Sequence, residues 1–318
     1  MISINKKKIG NNHPCFIVFE AGPTHHGYNS AKQLVKKSYL AGADAIKFQI
    51  LDPERLIYNK NQKFEFEILI NKKTGKTKKI SKSLYSLLKE RSLKKTEWKK
   101  LKNYADQLGI AFFATVGFED EVDFVKEIGC QSIKIASADV NHFPLIDYAA
   151  KTKLCIQLDT GMSTIDEISE AIKIIKSRNN EKIIIHHCPS GYPAKFDGVN
   201  LNILRTLKRK FPYPVAFSDH SPGFLMDVVA LGYDVNLLEK TITENRLFPS
   251  VEHIMSLEFD NMKKFVKTVR DVEVAKGKYS RILSRSEKLK IKFLRRSPYL
   301  DTPVKKNTLL KDAKIIFR

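Results

Sequence analysis

Residues 16–49, FIVFEAGPTHHGYNSAKQLVKKSYLAGADAIKFQ, predict a strand, a helix and a second strand in that order. Residues 16–19 are apolar, as expected of a buried strand, and residues 45–48, which are apolar except for Lys47, predict a second one. Between them, Asn29 is predicted to cap a helix and Gly42 to follow its end. Apolar side chains recur at helical spacing at Ala31, Leu34, Val35 and Tyr39. The segment therefore predicts one βαβ unit with parallel strands.

The same alternation continues along the chain. Further short, mainly apolar segments that predict strands occupy residues 111–114, 132–135, 154–158, 182–186, 214–217 and 235–238. Amphipathic helices separate them, and Thr164 and Glu167 have the spacing of a capping box. Eight such units close a barrel, whereas five or six form an open doubly wound sheet. The sequence predicts an α/β fold, a (β/α)₈ TIM barrel with a short C-terminal extension.

The predicted barrel spans residues 1–280, and residues 281–318 form the extension. Residues 50–92 lie between the second strand and a helix that contains Trp98 and Leu101. This insertion is long and charged and shows little periodicity. We expect it to be a mobile excursion over the top of the barrel.

The formal net charge is +21, from 56 Lys and Arg against 35 Asp and Glu. The excess lies mainly in residues 71–102 and beyond Lys263, and no aromatic residues interleave it for base stacking. It is interpreted as solvated surface that attracts anionic substrates, so no nucleic-acid partner is expected. No apolar run is long enough to span a membrane, and residues 1–14 lack an apolar signal core. A cytoplasmic protein is predicted.

Polar residues stand at the predicted carboxyl ends of nearly all eight strands. In barrels of this kind the active site lies at that face. The residues are Glu20, Lys47, Gln49, Thr115, Lys134, Ser137, Asp159, His187, Ser218, Asp219, His220, Glu239 and Lys240. Their placement predicts a functional barrel mouth.

Lys47 and Lys134 lie within apolar strands, where an unpaired ammonium is costly to bury. A substrate that carries a phosphate and a carboxylate would supply two anionic partners. For either lysine alone, pairing with a strand-end carboxylate such as Glu20 or Asp159 is an equally good interpretation. Together with the hydroxyls of Thr115 and Ser137, the two lysines favour the substrate-binding interpretation.

His220 follows the seventh strand and is a candidate metal ligand or general acid–base, although a structural role fits a single histidine as well. Glu252 and His253 follow the eighth strand and could converge on the same mouth.

Several of these motifs resemble, in the same order, those of the sialic acid (N-acetylneuraminate) synthase family. The resemblance extends from about Phe16 to Glu258. It rests on FEAG (19–22), AGADAIKFQ (41–49), KIAS (134–137), DTGM (159–162), HCPSGYP (187–193) and SDH (218–220).

The resemblance implies an enzyme that condenses phosphoenolpyruvate with an N-acetylated amino-sugar aldehyde resembling N-acetylmannosamine. The products would be a nine-carbon ulosonic acid of the sialic type and phosphate. It implies catalytic roles for Glu20, Lys47, Lys134 and His220. It implies substrate binding by Gln49, Thr115, Ser137, Ser190, Tyr192, Ser218 and Glu252. A divalent metal, Mn²⁺ or Mg²⁺, with His220 and His253 as candidate ligands, and a homodimer are also implied.

The sequence departs from the family pattern near the metal and the sugar. Thr241 follows Glu239-Lys240 where the family has its second metal histidine, and Asp159 replaces a serine. Ser190 stands for an asparagine and Glu252 for an aspartate. Residues 281–318 resemble the linker and first part of the family's C-terminal antifreeze-like (SAF) domain. A class I aldolase that uses Lys134 or Lys47 as a Schiff base, and a non-catalytic paralogue that binds phosphoenolpyruvate or sugar, remain alternatives.

Overall fold

The structure, a computed structural model, describes residues 2–318. Its strands are β1 (Ile2–Ile4), β2 (Lys7–Ile9), β3 (Phe16–Glu20), β4 (Ala45–Ile50), β5 (Lys63–Leu69), β6 (Thr77–Ser83), β7 (Ala111–Val116), β8 (Ser132–Ile135), β9 (Cys155–Asp159), β10 (Ile183–His187), β11 (Val215–Asp219), β12 (Leu237–Thr241), β13 (Pro298–Leu300) and β14 (Ile315–Phe317). Its α-helices are α1 (Tyr28–Ala41), α2 (Pro53–Leu56), α3 (Leu84–Lys89), α4 (Lys95–Leu108), α5 (Glu119–Glu127), α6 (Phe143–Lys151), α7 (Ile165–Ser177), α8 (Phe196–Val199), α9 (Asn202–Lys210), α10 (Leu225–Leu231), α11 (Phe259–Lys276) and α12 (Arg285–Leu294).

Eight parallel strands close into a barrel in the order β10-β11-β12-β3-β4-β7-β8-β9. Helices follow these strands along the chain, so the predicted (β/α)₈ TIM barrel is confirmed. The capping box predicted at the start of α7 is also present, because the Thr164 hydroxyl and the Glu167 carboxylate each accept the other residue's backbone N–H. The predicted cap at Asn29 is wrong: α1 begins at Tyr28, after Gly27.

The strands alternate between two hydrophobic environments because successive strand residues point to opposite faces. One set packs outward against the helices, and it includes Ile17 and Phe19. The other set fills the lower part of the barrel interior, where Phe16, Val18 and Phe113 pack together. The β1–β2 hairpin adds three isoleucines to that inner cluster, which closes the amino-terminal end of the barrel: Ile2, Ile4 and Ile9.

The insertion between β4 and α4 is ordered, in contrast to the mobile excursion expected from its charge. It contains α2, α3 and an antiparallel hairpin of β5 and β6. The hairpin buries Phe66 and Ile68 against Leu87 of α3 and Val251 of the loop after β12. This small apolar cluster fixes the insertion to the barrel.

The chain divides into two compact units, of which the first ends at Ala275 and the second comprises Lys276–Arg318. The second unit contains α12, which starts with a capping box of Ser284 and Glu287, and an antiparallel pair of β13 and β14. The assignment of residues 281–318 to a partial antifreeze-like domain stays a prediction. Within residues 2–318, no helix has the length and apolar character needed to cross a bilayer.

Candidate functional site

Most of the predicted polar residues occupy one layer at the carboxyl end of the barrel. The exceptions face the helices: Lys240 pairs with Asp219 and with Asp227 of α10, and His187 contacts Val199 O of α8. Parallel register places Glu20 beside Lys47, and Thr115 beside both Gln49 and Lys134. Ser218 stands beside Glu239 in the same way. Residues far apart in the chain therefore meet because the barrel closes with this register.

Glu239 connects the two buried lysines. Its Oε1 lies 2.8 Å from Lys47 Nζ, and its Oε2 lies 2.8 Å from Lys134 Nζ. Lys47 also pairs with Glu20. Both ammonium groups thus form ion pairs with the same carboxylate at the base of the mouth.

Lys134 is fully buried and has further partners. Its ammonium lies 2.9 Å from Asp159 Oδ1 and donates to Ser218 Oγ at 3.2 Å. The His186 Nδ1 atom is also 3.2 Å away. Each lysine therefore has carboxylate partners within the protein, as one of the two sequence interpretations expected. Three carboxylates and two ammoniums share the layer.

Burial and charge set the protonation of this layer in opposite directions. Burial disfavours ionisation of Glu239, but Lys134 and Lys47 hold its pKa well below the ordinary range. Burial likewise disfavours the Lys47 ammonium, yet Glu20 and Glu239 raise its pKa well above the usual value. For Glu20 burial prevails over Lys47, and its pKa rises to about 6. Burial also raises the pKa of Asp159. Glu20 and Asp159 consequently take up protons more readily than Glu239, the third carboxyl of this layer.

Gly161 brings the hydroxyls of Ser137 and Ser190 close together. Its N–H donates to Ser137 Oγ at 3.0 Å. A Cβ at this position would stand 2.5 Å from Cys188 O, 2.8 Å from Ser137 Oγ and 3.0 Å from Ser190 Oγ. Only glycine allows this approach, so the predicted substrate-binding serines lie together at one side of the mouth.

Tyr192 and His220 pack against each other at the mouth, with ring centroids 4.9 Å apart. The Nδ1 atom of His220 lies 3.2 Å from Pro189 O. Burial lowers the pKa of His220 to about 4, so its imidazole is neutral at physiological pH.

Glu252 and His253 lie in the loop after β12 and are buried. Burial raises the pKa of Glu252 to about 8, and its φ of 71° lies in the left-handed region that non-glycine residues seldom adopt. His253 Nδ1 lies 2.7 Å from Thr243 Oγ1, and its ring packs on Phe248. His253 therefore contacts Thr243 and Phe248, whereas His220 contacts Tyr192 and Pro189.

The contribution of Glu252 to protein stability should fall as pH rises from about 6 to about 8. With a pKa of about 8, folded Glu252 keeps a proton that the unfolded chain releases near its ordinary pKa. The difference in the free energy of unfolding between wild type and Glu252→Gln should therefore decrease by about 1.4 kcal/mol per pH unit across this range. Glu252→Gln removes this dependence, and denaturant unfolding at several pH values measures it.

Glu258→Gln is the control. Burial opposes ionisation of Glu258, but hydrogen bonds from Lys72 and from the Arg246 backbone keep its pKa low. This variant should retain the wild-type slope. An unchanged slope in Glu252→Gln would contradict the assignment.

The residues present do not form a preformed centre for the divalent metal that the family resemblance implies. Among residues 2–318, no three His, Cys, Asp or Glu side chains converge to hold a metal ion. Asp219, next to His220, already accepts hydrogen bonds from Lys240 and Ser221. Glu239 is occupied by the two lysines. One imidazole without a free carboxylate is a poor donor set, so no chemical step is derived through a metal.

Thr241→His should create a metal site. Asp219 and Lys240 are register partners on adjacent strands, so His220 and residue 241 follow side by side. A second imidazole there should raise the affinity for Mn²⁺ by at least about tenfold, the scale on which even outer-shell partners change metal affinity. Calorimetric titration of Mn²⁺ measures the gain. His220→Ala in the Thr241→His background should remove it; a gain that survives would show that the metal binds elsewhere.

Sequence reasoning missed two members of the buried network. The Nδ1 atom of His186 lies 3.0 Å from Ser218 Oγ, and its Nε2 atom lies 2.9 Å from Gln157 Oε1. Glu239 was noted as a strand-end residue but not as the bridge between lysines. The signal that could have found such residues is the alternation of side chains along each strand, because every second residue points into the barrel. Gln157 shares this inward face with Asp159, and Glu239 shares it with Thr241.

The sequence profile described as the NeuB family matches residues 34–281. A Methanocaldococcus jannaschii protein named "Uncharacterized protein MJ1065" is 34% identical over 318 residues, which cover 100% of this chain and 88% of that protein. The N,N'-diacetyllegionaminic acid synthase of Legionella pneumophila is 32% identical over 276 residues, covering 85% of this chain and 76% of the relative. Human N-acetylneuraminate-9-phosphate synthase is 29% identical over 276 residues, covering 85% and 73%.

Solved structures show the same likeness. The N-acetylneuraminic acid (sialic acid) synthetase of Leptospira borgpetersenii, in complex with citrate, superposes with a TM-score of 0.79 at 30% identity. The match covers 92% of this chain and 95% of that one. The spore coat polysaccharide biosynthesis protein SpsE of Bacillus subtilis superposes with a TM-score of 0.73 at 26% identity, covering 99% and 87%.

Proposed function

Because the chain belongs to the NeuB family, we propose that it condenses phosphoenolpyruvate with an N-acetylated amino-sugar aldehyde to give a nine-carbon ulosonic acid and phosphate. The observation that carries the proposal is the pair of buried ammoniums, Lys47 and Lys134, side by side on Glu239. Phosphoenolpyruvate carries a phosphate and a carboxylate close together, and two fixed cations match this distribution of charge.

In this proposal Lys47 and Lys134 neutralise the phosphate and the carboxylate, and hydroxyls near them orient the substrate. These hydroxyls belong to Thr115, Ser137, Ser190 and Ser218. The enol carbon attacks the aldehyde carbon, water adds to the resulting cationic centre, and phosphate leaves. Glu20, with a pKa of about 6, can exchange the protons that these steps require. Gln49, Tyr192, His220 and Glu252 face the sugar.

Asp159 fits an anionic substrate if it binds a proton. Its pKa is already raised by burial, and a phosphate at Lys134 would raise it further by repulsion. A protonated carboxyl can donate a hydrogen bond, as the serine of the family pattern would. Binding of phosphoenolpyruvate should therefore be accompanied by proton uptake.

The Schiff-base alternative requires a neutral lysine amine. The carboxylates around Lys47 raise its pKa, so this side chain stays protonated and is a poor nucleophile. This observation argues against Lys47 as the Schiff-base lysine of a class I aldolase. We also propose that the enzyme works in the cytoplasm as a homodimer.

The proposal is tested with purified protein, phosphoenolpyruvate and a panel of N-acetylated hexosamines, with and without Mn²⁺ or Mg²⁺. Phosphate release and product mass are measured together. Sugar-dependent phosphate release, with a product whose mass equals that of the sugar plus pyruvic acid, supports the condensation. Covalent trapping of pyruvate by borohydride, without phosphate release, would instead support the aldolase. Absence of both reactions favours the non-catalytic paralogue.

A further inference from the structure

Arg91 has an unusual shortage of partners for a half-buried arginine. It follows α3 in the insertion, and within residues 2–318 the only hydrogen bond of its side chain is a 3.3 Å contact from Nη2 to Ser250 Oγ. No carboxylate of the described residues lies within ion-pair distance of it. A guanidinium carries five N–H donors, so most of its hydrogen-bonding capacity is unused. Arg270, also half-buried, donates to Asp44, Glu273 and a backbone carbonyl.

The surroundings of Arg91 belong to the barrel mouth. Glu252, Glu90 and Glu20 are close enough for their charges to act on the guanidinium, but none of them forms an ion pair with it. Arg91 in turn opposes protonation of His25 and His253. Burial keeps both imidazoles neutral, and it favours the protonated form of Glu252. The positive charge of Arg91 is therefore largely uncompensated within the protein.

His25 supplies an independent observation at the same place. Its side chain is 2% exposed, and neither ring nitrogen has a hydrogen-bond partner. Its ring packs edge-on against Phe48 and Trp98, so the position is rigid. Buried polar atoms without partners are rare in native proteins, and a neutral imidazole can donate one hydrogen bond. An under-used cation and an unpartnered imidazole thus lie close enough for the charge of one to act on the other.

We propose that Arg91 is a specificity-determining residue that binds a phosphate group on the sugar substrate, so that the preferred aldehyde is an N-acetylated hexosamine phosphate. This inference rests on the proposed condensation. Phosphate oxygens accept charge-assisted hydrogen bonds from the guanidinium group and neutralise its charge. The hydroxyl of an unphosphorylated sugar would leave that charge without a counter-ion. The phosphate of phosphoenolpyruvate has Lys47 and Lys134 at the base of the mouth, whereas Arg91 comes from the insertion and contacts the loop after β12.

The test measures binding by calorimetry with the full chain. The probes are N-acetylmannosamine, the same sugar phosphorylated on its terminal hydroxyl, and phosphoenolpyruvate. Wild-type protein should bind the phosphorylated sugar at least about tenfold more tightly than the free sugar. Arg91→Gln should abolish this preference and leave the affinity for phosphoenolpyruvate unchanged. Lys89→Gln is the matched control. It removes a cation two residues before Arg91, and Lys89 pairs with Glu54 on the surface.

The inference is overturned if wild-type protein shows no preference for the phosphorylated sugar or if Arg91→Gln retains it. It is also overturned if Arg91→Gln weakens phosphoenolpyruvate binding by the same factor, because Arg91 would then serve the other substrate. Circular dichroism melting of the variant excludes misfolding as a cause. Equal turnover of both sugars would contradict only the role of Arg91, whereas an Arg91-dependent preference without any product would contradict only the condensation.

Discussion

Glu239→Gln is expected to lower the free energy of unfolding by about 3–5 kcal/mol and to abolish turnover. Each carboxylate oxygen of Glu239 accepts from a different buried lysine. A glutamine has one oxygen and one NH₂ group, so its nitrogen must face an ammonium whichever way the amide is turned. One lysine then loses its partner in a buried layer, and the positions of both cations change.

Denaturant unfolding and phosphate release measure the two effects. Glu127→Gln is the control, because Glu127 pairs with Lys99 on the surface, where such pairs contribute about 0–1 kcal/mol. Wild-type stability in Glu239→Gln would show that the bridge between the lysines does not stabilise the fold.

Lys134→Met is expected to reduce turnover by about 100-fold or more, the scale on which a single preorganised donor contributes to catalysis. The ammonium of Lys134 contacts Glu239, Asp159 and Ser218 and is fully buried. Methionine keeps much of the side-chain volume but removes the positive charge. The remaining carboxylates would then repel an anionic substrate, so phosphoenolpyruvate binding should weaken together with turnover.

Steady-state phosphate release and equilibrium binding of phosphoenolpyruvate separate the two contributions. Lys99→Met makes the same substitution at a surface lysine and should retain full activity. If Lys134→Met turns over normally, Lys134 has no role in the reaction and the charge of the mouth must come from other residues.

The order of strands and helices could be predicted because hydrophobic periodicity is a local property of the chain. The apolar run that became β3, the Gly42 that follows α1 and the capping box of α7 each depend on neighbouring residues. The cap at Asn29 failed because Gly27, with a φ of 109°, already lets the helix begin at Tyr28.

The insertion was harder to predict because its charge concealed a strand pattern. Phe64, Phe66 and Ile68 alternate with charged residues, which is the period of a half-buried strand. What the hairpin packs against could not be predicted, because Val251 is far along the chain.

By itself, the sequence determined the eight βα units, the face of the barrel that carries polar side chains, and the family. Only the tertiary structure decided that Lys134 pairs with Glu239, 105 residues away, and that Lys47 shares the same carboxylate. It also placed Arg91 of the insertion beside the loop after β12. The physical reason is that such pairs depend on strand register and barrel closure, which sum interactions over the whole chain, whereas sequence patterns report interactions between near neighbours.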